Sequence, residues 1–173
     1  METEAIEARL PLIVITGPTA SGKTSLAIHL AKQYNGEIVC ADSRTIYRDM
    51  NVGTAKPTKA ERETVPHWGL DLISPGEVFS VAQFKEYALQ KISEIRSRGH
   101  LPFLVGGTGL YIDAVLFDFQ FGEPPSTIFR SELEKKTVTE LQYYCHIHNI
   151  KLPENNKNKR YLIRSIEQKN RYN

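Results

Sequence analysis

The sequence predicts an α/β protein, with a doubly wound parallel sheet followed by a short helical C-terminal appendage. Short apolar runs at residues 12–15 and 101–105 contain β-branched side chains, as in strands that are buried on both faces of a parallel sheet. Stretches with helical spacing of apolar residues alternate with these runs, at 26–34 and 84–95. A glycine-rich turn directly follows each of the two strands. Strands that alternate with helices in this way form sheets whose ligands bind at the carboxyl ends of the strands.

Composition is typical of one ordered domain with a small addition. The chain has 173 residues, 40% of them hydrophobic, and 22 basic against 20 acidic residues give a formal charge of +2. These values exclude a disordered or fibrous chain. No apolar run approaches the ~20 residues that cross a bilayer, so we expect no membrane association. Only Cys40 and Cys145 are present, and residues 1–7 are acidic where a secretory signal would be basic, so we expect a cytoplasmic protein, and a monomer.

The first predicted strand leads into a helix and a second strand. Apolar residues at helical spacing after Lys23 continue to Tyr34, where an Asn-Gly pair ends the helix. The second strand is expected at 37–41 and ends at Asp42. Residues 44–69 show no sustained period, and we predict a long functional loop over the site.

The second half of the predicted core begins with a possible third strand at 70–73. Ser80 and Gln83 form a capping-box pattern, and the helix that follows extends until Gly99. The strand at 101–105 then ends in Gly-Gly-Thr-Gly.

A Gly-Glu-Pro-Pro linker at 122–125 predicts a division of the chain. We expect an α/β core at 1–121 and a basic helical segment at 122–173 that packs on it. Within that segment, helices are expected at 128–148 and 156–169.

Charge is concentrated at the C-terminal end. Residues 151–173 hold seven Lys or Arg and two Glu, so 7 − 2 gives +5, which leaves 2 − 5 = −3 on the first 150 residues. Such a basic segment favours a polyanionic partner such as nucleic acid. A solvated helix face with the same composition is an equally good interpretation of the charge alone.

Residues 17–24, GPTASGKT, match the phosphate-binding loop of P-loop NTPases. Phosphate oxygens need inward backbone N–H groups, a helix N-terminus behind them, a lysine for the outer charge and a hydroxyl for Mg²⁺. The sequence therefore predicts a P-loop NTPase-like core that binds a di- or triphosphate together with Mg²⁺.

The phosphate loop predicts that phosphates bind but does not identify the reaction. The residues at the ends of the other strands distinguish between the possible reactions. A motor or switch NTPase has an apolar strand that ends in Asp to organise Mg²⁺, whereas the strand at 101–105 ends in glycines. Asp42 instead ends the second strand, where a carboxylate can accept a proton from an incoming nucleophile or orient it. A simple capping role for Asp42 is equally compatible with the pattern.

Several motifs follow one another along the chain. They are GPTASGKT at 17–24, ADSRTIYR at 41–48, GTAKP at 53–57 and LVGGTGLY at 104–111, joined by Val65-Pro66-His67 and Ser80-Val81-Ala82-Gln83-Phe84. In this order they resemble the motifs of the tRNA dimethylallyltransferase family, also called tRNA isopentenyltransferases. The resemblance is nearly continuous from residue 12 to residue 120.

The resemblance implies transfer of a dimethylallyl group from dimethylallyl diphosphate to the exocyclic amine of the adenosine 3′ of the anticodon in tRNA. Asp42 would be the base or orienting group for that amine, Thr24 the ligand of Mg²⁺ and pyrophosphate, and Lys23 the phosphate clamp. The substrate-binding residues that it implies in the phosphate loop are Gly17, Thr19, Ala20, Ser21, Gly22, Lys23 and Thr24. Those implied around the target base and the tRNA are Ser43, Arg44, Thr45, Thr108 and Arg130.

The chain departs from the family in two respects. Family members are much longer, with a helical insertion that grips the anticodon stem-loop. They also carry an Arg that contacts the pyrophosphate, and aligning residues 164–167 places Tyr161 at that position with Arg160 one residue early. Arg160 is the expected substitute, although one residue on a helix turns a side chain by ~100°.

Other interpretations of the motifs are an adenylate isopentenyltransferase acting on free nucleotide, a catalytically weak nucleotide- or RNA-binding protein, and a small-molecule kinase. His67, although it lies in a family motif, is expected to have a structural role in its loop.

Overall fold

The computed structural model describes residues 10–51, 53–54, 56–122 and 127–171. The acidic segment at 1–7, most of the linker at 122–125, and positions 52 and 55 lie outside these residues. The chain divides between Phe121 and Gly122 into two compact units, and each unit is described by itself.

The first unit contains a four-stranded sheet in which every pairing is parallel, which confirms the predicted fold class. The strands are β1 (Ile13–Thr16), β2 (Gly36–Cys40), β3 (His67–Trp68) and β4 (Leu101–Gly106). They lie side by side in the order β1-β4-β2-β3. The carboxyl ends of β1, β4 and β2 therefore meet at one edge of the sheet, where the sequence places the phosphate loop, the Gly-Gly turn and Asp42.

The first unit has the helices α1 (Lys23–Gln33), α2 (Lys59–Thr64), α3 (Val81–Ser97) and α4 (Gly109–Leu116). Both faces of the sheet are covered, by α1 on one side and by α3 and α4 on the other. Buried residues of α1, such as Ala27 and Ala31, pack on one face against Ile38 and Phe103. On the other face α3 and α4 pack against the alternate residues of the same strands, with Phe84 stacked on Tyr111, their ring centroids 4.1 Å apart. Successive residues of a strand face opposite sides of the sheet, and both sides are covered by helices. The strands are therefore apolar at successive positions.

Three expectations for the first unit are wrong. The third strand is the two-residue β3 rather than 70–73, where only Ile73 forms an isolated bridge, with Tyr47. The segment at 44–69 is not all loop, because α2 lies in it behind a capping box of Thr58 and Glu61. Residues 13–15 of β1 are half-buried, since β1 is the edge strand of the described sheet.

The second unit is a small group of helices, α5 (Thr127–Lys135), α6 (Val138–Ile147) and α7 (Lys159–Arg171). Its core contains Leu133, Leu141, Cys145, Leu162 and Ile166. The single helix predicted at 128–148 is wrong, because Thr137 starts a new helix with a capping box to Glu140. No helix in the described part of the chain is both long enough and apolar enough to span a membrane.

Candidate active site

The loop between β1 and α1 has the backbone that a phosphate cradle needs. Gly22 precedes the first residue of α1 with a left-handed φ of 81°, and Ala20 has a φ of 64°. The Ser21 N–H donates to the Pro18 carbonyl at 3.3 Å, which tightens the turn. Gly22 offers no side chain to cap the first turn of α1, so the N–H groups there stay open to an anion.

Lys23 lies across this loop. Its Nζ donates to the Pro18 carbonyl and approaches the Ser21 hydroxyl at 3.5 Å. A Cβ on Gly17 would lie 3.3 Å from that same hydroxyl, so a larger residue at position 17 would crowd the loop. The ammonium is therefore held against this loop by the loop's own carbonyl and hydroxyl oxygens.

Two glycines at the end of β4 allow three segments to meet. A Cβ on Gly106 would lie 2.0 Å from the Ala41 carbonyl oxygen, which only glycine permits. A Cβ on Gly107 would lie 3.4 Å from the Gly17 carbonyl oxygen and 3.9 Å from Asp42 Oδ2. The Gly-Gly turn thus brings the carboxylate of Asp42 beside the start of the phosphate loop.

Asp42 is half-buried and has one oxygen engaged. Its Oδ1 accepts from the Arg44 N–H at 2.9 Å in a local turn, and its Oδ2 points toward Gly107. The Thr45 hydroxyl, buried nearby, donates to the Asp42 carbonyl at 3.2 Å. The capping role and the chemical role that the sequence left open for Asp42 are therefore compatible, since each uses a different oxygen.

Thr108 supports the segment after Asp42. Its Oγ1 accepts from the Ser43 N–H at 3.0 Å, and its own N–H donates to the Ala41 carbonyl at 3.2 Å. Ser43 and Arg44 are exposed beside the site. Thr108 therefore holds the turn that orients Asp42, and the tRNA contact implied for it by resemblance stays a prediction.

One cavity of about 310 Å³ joins these parts. Its polar lining residues include Asp42, Thr45 and residues 19–24 of the phosphate loop, and its apolar lining residues include Ala27, Ile38, Cys40, Pro57 and Val105. Burial raises the pKa of the Cys40 thiol to about 12, so the thiol is protonated and is no nucleophile at neutral pH. A cavity with a phosphate-binding loop at one side and an apolar interior suits a ligand that combines a polyphosphate with a hydrocarbon group.

His67 also lines this cavity, which the sequence did not predict. It lies in β3 opposite Ile38 of β2, and its Nδ1 lies 2.8 Å from the Val65 carbonyl oxygen. Burial lowers the pKa of His67 from its ordinary 6.5. The position of His67 in the family motif Val65-Pro66-His67 was a sequence signal for a place in the site. The strand β3 that carries it has only two residues, which is too short to show a periodic pattern.

Thr24 is the residue whose hydroxyl could contribute to holding a metal ion. It lines the cavity at the start of α1, and Asp42 lines the same cavity beyond the end of β2. Within the described ranges, no group of three or more His, Cys, Asp or Glu could hold a metal by itself.

The two arginines predicted to contact substrate lie in the second unit. Arg130 is paired, since its guanidinium donates to Glu167 at 3.0 and 3.1 Å and to Glu134 at 3.1 Å. Arg160 is exposed near the start of α7, where its N–H donates to the Asn158 side chain at 3.0 Å. Both arginines line one groove with Glu134, Asn158, Lys159 and Ile163. Their predicted roles toward tRNA and pyrophosphate stay predictions.

Comparisons with known proteins agree on one family. The family model described as IPP transferase matches residues 45–168. A tRNA dimethylallyltransferase of Bacillus cereus is 50% identical over 139 residues, 80% of this chain and 44% of its own length. One of Roseiflexus is 52% identical over 130 residues, 75% of this chain and 43% of its own. The chain thus spans less than half the length of these relatives.

Solved structures give the same result. The full-length tRNA isopentenylpyrophosphate transferase of Bacillus halodurans is 41% identical, with a TM-score of 0.65 over 94% of this chain and 56% of that one. A eukaryotic dimethylallyltransferase described as acting on tRNA is 28% identical, with a TM-score of 0.71 over 88% of this chain and 40% of that one.

Proposed function

Because this chain belongs to the IPP transferase family, we propose that it transfers a dimethylallyl group from dimethylallyl diphosphate to the exocyclic amine of the adenosine 3′ of the anticodon in tRNA. The observation that carries the proposal is the single cavity that both Asp42 and the phosphate loop line. The apolar part of the lining is compatible with the hydrocarbon group of such a donor.

The donor end of the reaction belongs to the loop. As the allylic C–O bond breaks, negative charge builds on the diphosphate, and preorganised N–H groups and Lys23 are aimed where it develops. The apolar wall, with Ile38, Cys40 and Val105, offers a place for the five-carbon group. Thr24 would hold Mg²⁺ there, and a bound Mg²⁺ supplies further neutralisation of the leaving diphosphate.

The acceptor end belongs to Asp42. An adenine amine is a poor nucleophile, and a carboxylate that takes its proton as the N–C bond forms contributes ~10²–10⁴-fold to a rate. In the balanced step, the allylic carbon leaves the diphosphate oxygen and bonds to the amine nitrogen, whose proton passes to Asp42 Oδ2. The target base must leave its stack to reach a cavity of this kind.

The second unit offers a surface that suits RNA. Along α7, Leu162, Ile163 and Ile166 are buried, whereas Arg160, Tyr161 and Arg164 are exposed. An exposed tyrosine between two arginines combines base stacking with phosphate neutralisation. Lys159 takes less part, because its ammonium donates to the Glu134 carbonyl at 2.6 Å.

The decisive experiment incubates the protein with radiolabelled dimethylallyl diphosphate, Mg²⁺, and either total tRNA or AMP. We expect label in tRNA and none in AMP, with Lys23→Ala as the inactive control. Label in AMP would favour the free-nucleotide enzyme. Tight ATP binding by calorimetry that dimethylallyl diphosphate does not compete would favour a kinase.

A further inference from the structure

His67 carries a buried polar atom that is unpaired among the described residues. Its Nε2 is buried and has no hydrogen-bond partner within the part of the chain that the structure describes. A buried nitrogen left in this way destabilises a protein, and native proteins keep few such atoms. A ligand that completes the hydrogen bond is one reason to keep it.

The chemical character of this atom is determined by the other ring nitrogen. Nδ1 lies 2.8 Å from the Val65 carbonyl oxygen, which can only accept, so Nδ1 carries the hydrogen. Burial lowers the pKa of His67 more than this hydrogen bond raises it. The charges of two residues on α2 have smaller effects, since Arg62 lowers that pKa and Glu61 raises it. The ring is therefore neutral at pH 7, and Nε2 is a hydrogen-bond acceptor.

An acceptor in this cavity selects one of the two proposed substrates. The oxygens of a diphosphate accept hydrogen bonds, and a dimethylallyl group neither accepts nor donates them. An adenine amine, in contrast, has two hydrogens to donate. Asp42 and His67 line the same cavity. Asp42 Oδ2 and His67 Nε2 are their two acceptor atoms that have no hydrogen-bond donor within the described residues. We propose that His67 Nε2 accepts a hydrogen bond from the second N–H of the acceptor amine, and so helps to recognise adenine. The inference rests on the proposed function and adds the recognition of the base to it.

The test compares two RNA stem-loops that differ only at the target position, one with adenine and one with unsubstituted purine, which lacks the amine. We expect the wild-type protein to bind the adenine RNA more tightly in the presence of Mg²⁺ and inorganic pyrophosphate. His67→Leu should reduce that preference by about 2- to 10-fold, as the loss of one hydrogen bond predicts. His67→Gln, whose amide oxygen reaches the same region, should keep most of it.

His29→Leu is the matched control, because His29 is exposed on α1 and should leave the preference unchanged. If His67→Leu and His67→Gln are both folded and keep the wild-type preference, His67 is structural and the inference is wrong. If the wild-type protein binds both RNAs equally yet labels tRNA, the inference fails while the proposed function stands. If the wild-type protein binds neither RNA and labels no tRNA, the inference on His67 and the proposed function are both wrong.

Discussion

Two carboxylates stand at opposite ends of β2 and have opposite surroundings. Glu37, near its beginning, is 3% exposed and accepts from Trp68 at 2.7 Å, from Arg98 at 2.8 and 3.1 Å, and lies 2.7 Å from His100 Nδ1. Asp42, just beyond its end, accepts a single backbone hydrogen bond at Oδ1. Both oxygens of the first carboxylate are engaged by the fold, whereas Oδ2 of the second accepts no hydrogen bond from the described residues.

The difference separates a residue that stabilises the sheet from a residue that we propose acts on a ligand. Glu37 joins β2 to β3 and to the segment between α3 and β4 at the amino end of the sheet. Asp42 is positioned by its own turn and by the glycines of β4 at the carboxyl end. Substitutions at the two positions should therefore have opposite consequences for stability and for activity.

The largest effect is expected for Asp42→Asn. The amide oxygen still accepts from the Arg44 N–H, so the free energy of unfolding should change little, but an amide cannot take the proton. We expect the single-turnover rate of transfer to tRNA to fall by ~10²–10⁴-fold. An unchanged rate would reduce Asp42 to a turn cap and remove the contrast with Glu37.

Glu37→Gln should do the reverse. Removing the charge weakens the hydrogen bonds from Arg98 and His100 at a buried position, and we expect the free energy of unfolding to fall by about 1–3 kcal/mol. Affinity for dimethylallyl diphosphate should stay at the wild-type value. Glu94→Gln is the control, since Glu94 pairs with Lys91 within one turn of α3 and its loss should matter little. Equal destabilisation by both variants would contradict a special role for Glu37.

Acid should remove the advantage of Glu37. Burial alone would raise the pKa of Glu37, but hydrogen bonds from Arg98, Trp68 and His100 hold it below the ordinary 4.5. Because the native pKa is the lower one, the contribution to stability is present above pH 4.5 and is lost as the pH falls through the native value. The difference in the free energy of unfolding between wild type and Glu37→Gln, measured with urea, should therefore narrow as the pH falls from 7 to below 4.5. A difference that stays constant over this range would show that the charge is not the cause.

Sequence patterns predicted the parts of this comparison that depend on local chemistry. The strands at 12–15, 37–41 and 101–105, the phosphate loop, and Asp42 at a strand end all follow from short-range periodicity and glycine spacing. The partners of Glu37 do not, because Arg98 and His100 lie more than 60 residues away in the chain.

Some errors were avoidable and others were not. Thr58-Lys59-Ala60-Glu61 and Thr137-Val138-Thr139-Glu140 follow the capping-box pattern already used at Ser80, and they mark the starts of α2 and α6. The two residues of β3, in contrast, are a strand only because β2 pairs with them. His67 therefore reaches the site through tertiary structure that no local pattern specifies.

The smallest effect is expected for Thr108→Val, which tests whether the hydrogen bond between Thr108 and the turn after Asp42 helps to orient the Asp42 carboxylate. Valine keeps the shape but removes the Oγ1 that accepts from the Ser43 N–H, a loss of ~1 kcal/mol or less, because Ser43 is exposed to water. If Thr108 positions the Asp42 turn, the single-turnover rate at saturating tRNA should fall by up to ~5-fold. Thr108→Ser, which retains the hydroxyl, should restore the rate. If Thr108 instead contacts tRNA, as the family resemblance implies, Thr108→Val should weaken tRNA affinity and leave that rate unchanged. The split between rate and affinity thus decides whether the turn beyond β2 is stabilised from within the protein or by its substrate.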